Sequence, residues 1–194
     1  SDNHGLNGKW KEGPGIPFFE KVFDKINSKI ILAEDLGEAY KDAKKIRDVF
    51  KIPGMKILQF SFGNGDPYHE MDQNTVLYTG THDNSTCIGW FDELLNDKEL
   101  NSEKNSINLV DEVIKYIDYK PSDLIHWNMI LYAMSSKASY CIIPLQDILG
   151  LNDNSRMNIP GTVGNNWLWR FKKETLTEAI KEKLKLITKD VNRI

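Results

Sequence analysis

The sequence predicts an α/β fold, a parallel sheet covered by helices, built from units that alternate strand and helix. Three observations carry that prediction. Short runs such as KIILA and TVLYT are rich in β-formers and almost continuously apolar, as strands buried on both faces are. Segments with apolar residues three and four apart follow them. Two of the runs stop abruptly on acidic segments, AEDLG at Glu34 and GTHDN at Asp83.

The elements follow in order. Phe18–Asn27 places Phe19, Val22, Phe23 and Ile26 on one helical face, and Lys29–Ala33 is a strand stopped at Glu34. Gly37 interrupts the chain, and Ala39–Phe50 is an amphipathic helix ended by Pro53-Gly54. Met55–Phe62 is the next strand, followed by turn chemistry in FGNGDPYHE. Thr75–Thr79 is a third strand, and Thr86–Leu95 a helix facing inward through Ile88, Phe91, Leu94 and Leu95. Ile107–Ile117 and Ser122–Lys137 read as helices separated by Pro121, and Tyr140–Leu145 as a fourth strand. After a loop rich in Asn, Gly and Pro, Glu174 to Lys189 forms a charged helix, apolar at Leu176, Ile180, Leu184 and Ile187.

Four such units make half of an eight-stranded barrel. A complete barrel usually takes about 250 residues, and this chain has 194. An isolated half leaves two long strand edges unpaired, which favours self-association. The expectation is either a small open sheet or a single partial domain, residues 1–194, of a larger protein. The opening SDNHGLNGKWKEGPG, a polar loop, fits a chain that starts in mid-protein.

Composition narrows the partners. Hydrophobic residues at 40% and charged residues at 27% are those of a globular domain, and a net charge of −3 without a long basic run excludes nucleic acid and anionic membranes as expected partners. No apolar stretch approaches a membrane span. Cys87 and Cys141 lie far apart with no C-x-x-C pattern, which points to a reducing, cytoplasmic compartment. His4, His69, His82 and His126 show no metal-ligand spacing, and Gly63-Asn64-Gly65 lacks the third glycine of a dinucleotide fingerprint. No Walker or G-x-S-x-G pattern occurs. Neither metal nor organic cofactor is expected.

The acidic segments carry the chemistry. Glycoside transfer needs carboxylates from different strands, because one acid cannot both protonate a leaving oxygen and stabilise a cationic sugar. Glu34 reads as a general acid/base or, with Asp35, as a cap on the next helix. His82-Asp83-Asn84 reads as a cluster that holds sugar hydroxyls and a developing positive charge, or as the start of the helix at Thr86. Trp167 and Trp169 suit either sugar stacking or core packing.

Five segments together resemble the C-terminal part of the amylomaltase, or 4-α-glucanotransferase (disproportionating enzyme), family: ILAEDLG, IPGMKILQFSFG, VLYTGTHDNSTCIGW, IPLQDILGL and SRMNIPGTVGNNWLWR. They stand in the family's order and cover roughly Asn7 to Phe171. The resemblance implies a (β/α)8 TIM barrel of the α-amylase clan, of which this chain would supply the fifth to eighth strands. It implies a retaining transfer of α-1,4-glucan segments between maltodextrin donors and acceptors. Glu34 matches the acid/base, Asp83 the transition-state stabiliser, and His82 the histidine beside it; Asn158 and Asn166 fall in late loops that contact glucan. The family's nucleophilic Asp sits in an Arg-x-Asp-His segment on the fourth strand, and no such segment occurs in this sequence. The chain is thus expected to need the N-terminal half of the barrel as its partner and to be inactive alone. A non-catalytic glucan-binding or structural half-barrel, and a hydrolase of the same clan, are the competing expectations. Ser85 stands where the family usually has Asp, and GTVGNNW replaces its Gly-Thr-Pro-Ser-Gly-Asn-Trp pattern.

Overall fold

The computed structural model describes residues 8, 11–26, 31–37, 40–63, 71–100 and 104–193. They fall into two compact units, Ser1–Gly54 and Met55–Ile194.

In the first unit, helix α1 spans Gly15–Phe23 and α2 spans Tyr40–Phe50. Phe19 and Phe23, one turn apart on α1, meet Phe50 of α2 with ring centroids 5.9 and 4.9 Å away. This aromatic cluster is what the helical spacing of the phenylalanines allows. The strand expected over Lys29–Ala33 is not found where the structure describes it. Ile31–Ala33 forms no regular element, its Ala33 amide donating to the Pro53 carbonyl (2.9 Å), while Lys29 and Ile30 lie outside the described residues.

Among the described residues a three-stranded sheet runs in the order β1 (Gly54–Ile57), β2 (Thr75–Tyr78), β3 (Tyr140–Ile142). Strands β2 and β3 are parallel, with Val76 opposite Tyr140 and Tyr78 opposite Ile142. The chain between them passes through helices α3 (Cys87–Leu100), α4 (Lys104–Tyr116) and α5 (Ile125–Met134), the long crossover that parallel strands require. Two expected strands are shortened. Met55–Phe62 turns into a 3-10 helix at Leu58–Ser61, and Tyr140–Leu145 ends at Ile142, before Pro144, which has no amide to donate. Short helix α6 (Leu145–Ile148) follows, and α7 (Glu178–Asp190) closes the chain.

Helix α5 is apolar nearly all round and is buried accordingly. Met129 and Ala133 join the main core with Leu58, Leu77, Phe91 and Val113. On its other side Trp127, Ile130 and Met134 pack against Ile180, Leu184 and Ile187, the stripe expected on α7. Each fully buried aliphatic side chain here contributes about 1.5–3 kcal/mol. The α5 C-terminus is closed by Arg193, which donates to the Met134 carbonyl (2.6 Å) and the Ser136 carbonyl (3.0 Å). At its start, His126 is buried against Gly150, whose left-handed backbone (φ 63°) passes over the imidazole. Among the described residues no helix is long and apolar enough to cross a membrane.

Candidate active site

The segments following β2 and β3 meet at the C-terminal ends of these strands, where parallel α/β sheets present their sites. They line a cleft that includes Gly80, Thr81, His82, Gln146, Arg156 and Met157. Asp83 stands in the chain between two lining residues, His82 and Asn84, with about half its side chain exposed. Its Oδ1 accepts from Asn158 Nδ2 (2.6 Å) and lies 3.4 Å from His82 Nε2. Asp83 and Asn158 are 75 residues apart in the chain, so the fold, not local sequence, brings this pair together.

A guanidinium fixes the backbone beneath Asp83. Arg156 Nη2 donates to the Asp83 carbonyl (2.8 Å), Nη1 to Ser85 Oγ (3.3 Å) and Nε to the Asn158 carbonyl (3.3 Å). Asp153 stands 3.5 Å from the same guanidinium. Its Oδ1 also accepts from the Thr86 amide (2.8 Å) and hydroxyl (3.2 Å) at the start of α3. Gly89 makes this approach possible, because a Cβ there would fall on the Asp153 carboxyl. The helix is capped by Thr86, whose hydroxyl accepts from the Gly89 amide (3.1 Å). Asn84 is used differently: its Oδ1 accepts from the Thr81 amide (2.9 Å) and hydroxyl (2.7 Å). The capping reading of Asp83 and Asn84 therefore gives way to a turn held for its own sake.

Below the turn lies a second carboxylate, Asp147 of α6, almost fully buried. It accepts from the Thr79 hydroxyl (2.6 Å) and the Cys87 amide (2.7 Å), tying the end of β2 to the start of α3. Burial pushes its carboxyl above the usual range, against the opposing pull of those two donors. The neighbouring Cys87 thiol is pushed well up by burial and by Asp147, so it is a core group and not a nucleophile. Arg156, Asp153, Asp147 and Thr79 were not read as site residues from the sequence. The lone acid in the apolar run IIPLQDILGL was the available signal for a buried, partnered carboxylate.

Asn158 is half-buried beside Asp83. Asn166 is also half-buried, and its amide braces its own loop, Oδ1 accepting from the Ile159 amide (3.0 Å) and Nδ2 donating to the Thr162 carbonyl (3.3 Å) and hydroxyl (3.2 Å). Glu34 belongs to the first unit, exposed on irregular backbone. The next residue, Asp35, is buried and paired with Arg47 of α2. Among the described residues no group of three or more His, Cys, Asp or Glu side chains converges as a metal site. His69 lies outside the described residues.

Parallel strands whose C-terminal loops gather a carboxylate, an amide and a histidine define an α/β protein with a cleft at that end of the sheet. The family described as 4-alpha-glucanotransferase matches residues 1–177, and the chain belongs to it. It is 39% identical to the 4-alpha-glucanotransferase of Synechocystis over 188 residues, covering 94% of this chain and 35% of that one. The chloroplastic/amyloplastic 4-alpha-glucanotransferase of Solanum tuberosum is 41% identical over 172 residues, covering 87% and 28%. Among solved structures, the amylomaltase from Streptococcus agalactiae in complex with acarbose superposes with a TM-score of 0.83 at 34% identity, over 95% of this chain and 36% of that one. The chain spans about a third of the length of these relatives.

Proposed function

We propose that this chain is the C-terminal part of a retaining 4-α-glucanotransferase, the fifth to eighth strands of a (β/α)8 barrel, and a single partial domain of it. The observation that carries this reading is Asp83, held at the end of a parallel strand by Asn158, His82 and Arg156, in a member of the family. In the reaction, the nucleophilic Asp, supplied outside this sequence, attacks the anomeric carbon of the donor glucan from about 5–5.5 Å away from the acid/base. Glu34 donates its proton to the departing glycosidic oxygen, leaving a glycosyl ester and a free glucan end. The carboxylate of Glu34 then takes the proton of an acceptor 4-hydroxyl, which displaces the ester with net retention.

Asp83 has the geometry of a stabiliser. The bond from Asn158 fixes one carboxylate oxygen, leaving the half-exposed carboxylate to meet sugar hydroxyls and the positive charge that develops at the reacting ring. His82 supplies a further polar contact beside it. Asn158 acts through Asp83, and Asn166 through the loop it braces. Donor and acceptor are maltodextrins, the N-terminal half of the barrel is the obligate partner, and unpaired strand edges make a polypeptide of these 194 residues self-associate. Two cysteines that form no disulfide with each other support a cytoplasmic setting.

Two measurements test the reading. The 194-residue polypeptide incubated with maltotriose should yield neither glucose nor longer maltodextrins; steady disproportionation would show that nothing is missing from it. In the full-length protein, Glu34→Gln and Asp83→Asn should each lower turnover by about 10²–10⁴-fold. Wild-type rates in either variant would remove its role. Maltoheptaose binding with no turnover in the full-length protein would favour the non-catalytic glucan-binding reading instead, and glucose release without chain lengthening a hydrolase.

A further inference from the structure

The loop after Asn158 passes repeatedly through left-handed backbone, at Gly161 (φ 77°), Gly164 (φ 90°), Asn165 (φ 59°) and Trp167 (φ 65°). Glycine and asparagine adopt this conformation readily. Tryptophan does not, because its Cβ crowds the adjacent carbonyl. A bulky residue stays there only where its surroundings over-determine it, and such residues gather at binding and catalytic sites. Here the over-determination is visible. The Trp167 amide donates to the Met157 carbonyl, and the Trp167 carbonyl accepts from Arg170 Nη1 (3.0 Å). Asn166, one residue earlier, ties the loop to Ile159 and Thr162.

What the strained backbone achieves is not burial. Trp167 remains 52% exposed, so packing within this chain does not explain why the position holds a tryptophan. Instead the indole lies beside the His82 ring, centroids 5.0 Å apart at 41°, and His82 Nε2 in turn lies 3.4 Å from the Asp83 carboxylate that Asn158 holds. A flat apolar surface edged by hydrogen-bonding groups matches one ligand chemistry closely. A pyranose ring has an apolar C–H face and a rim of hydroxyls, and carries no charge.

We propose that the Trp167 indole is a saccharide-stacking platform that takes the C–H face of a glucosyl unit adjoining the unit held by Asp83. The platform rests on the glucanotransferase reading for the identity of its sugar. Its position makes Trp167 a determinant of glucan affinity, distinct from the carboxylates that act on the reacting bond.

The test uses the full-length protein with maltotriose as substrate and maltoheptaose as titrant. Trp167→Ala and Trp167→Asn should each raise KM about tenfold, with most of the loss in kcat/KM carried by KM, and Trp167→Phe should recover most of it. Asparagine accepts left-handed backbone, so Trp167→Asn should hold Tm within about 2 °C of wild type. Lost affinity at retained stability is what a packing role would not produce. Maltoheptaose should also change the indole fluorescence of the wild type, and that change should disappear in Trp167→Phe. An unchanged KM, a fluorescence change that survives in Trp167→Phe, or an indole shielded from acrylamide before sugar is added would overturn the proposal. Near-wild-type turnover of Asp83→Asn would refute the stabiliser assignment alone, since the fluorescence change reads the platform independently.

Discussion

His126 should make the fold acid-sensitive, and the size of the effect follows from its surroundings. The imidazole is 6% exposed at the start of α5, with Nδ1 buried and without a hydrogen-bond partner. Burial, and then the Lys183 ammonium, lower its pKa from 6.5 to about 4. Lys183 itself lies over the neighbouring Trp127 ring, 4.7 Å from its centroid, so its charge is held close. The native state therefore keeps His126 neutral while the unfolded chain takes up a proton below pH 6.5. The unfolded state binds more protons between these two pKa values, so stability falls as pH drops through that window. The loss from this one group is about 2 kcal/mol between pH 7.5 and pH 5, and about 3 kcal/mol once pH is below 4. Urea denaturation of the wild type and His126→Phe at pH 7.5, 6 and 5 isolates it, because every other titrating group is common to both. The difference in unfolding free energy between the two proteins should shift by about 2 kcal/mol in favour of the variant from pH 7.5 to 5. A pH-independent difference would show that the imidazole is solvated or already charged in the native state, and would refute the reasoning.

Two further outcomes concern the scaffold. Gly150→Ala should destabilise the fold by about 2–4 kcal/mol, because φ is 63° and the new Cβ would lie 2.7 Å from His126 Cε1 and 2.9 Å from Nε2; a loss below about 0.5 kcal/mol in urea denaturation would mean that the ring moves aside freely. Asp147→Ala strands the buried Thr79 hydroxyl and Cys87 amide without their acceptor, and should cost about 2–5 kcal/mol by the same measurement. Asp147→Asn, which retains one acceptor oxygen, should lose less, and equal losses in the two variants would show that the interaction is not hydrogen bonding.

The parts of this fold that were legible in the sequence are those governed by local periodicity. TVLYT is apolar on both faces because both are covered, and the stripe of Ile180, Leu184 and Ile187 packs on Trp127, Ile130 and Met134 of α5. Apolar runs whose fate depends on a distant partner were harder to read. Ile31–Ala33 has a strand's composition but meets Pro53 through the Ala33 amide without forming a strand. In Met55–Phe62 the polar Gln59 was the warning: it leaves the strand to bond the Ser85 carbonyl (2.8 Å), and the backbone coils into a 3-10 turn to let it do so. At the site, the types and order of Asp83, His82 and Asn158 were readable from motif resemblance. The tethers were not, because Asp147 and Asp153 bond backbone amides on α3, and an amide leaves no trace in a sequence. Trp167 was visible as a residue but not as an exposed one, since its exposure depends on a backbone conformation that tryptophan ordinarily avoids.

Asp153 joins two properties that most proteins keep separable. The same carboxylate anchors the first turn of a core helix and sits against the guanidinium that holds the Asp83 backbone. A change at this position would register at once in the half-life of the fold and in the aim of the site. The familiar exchange in which a protein gives up rigidity to gain or retune activity is closed here.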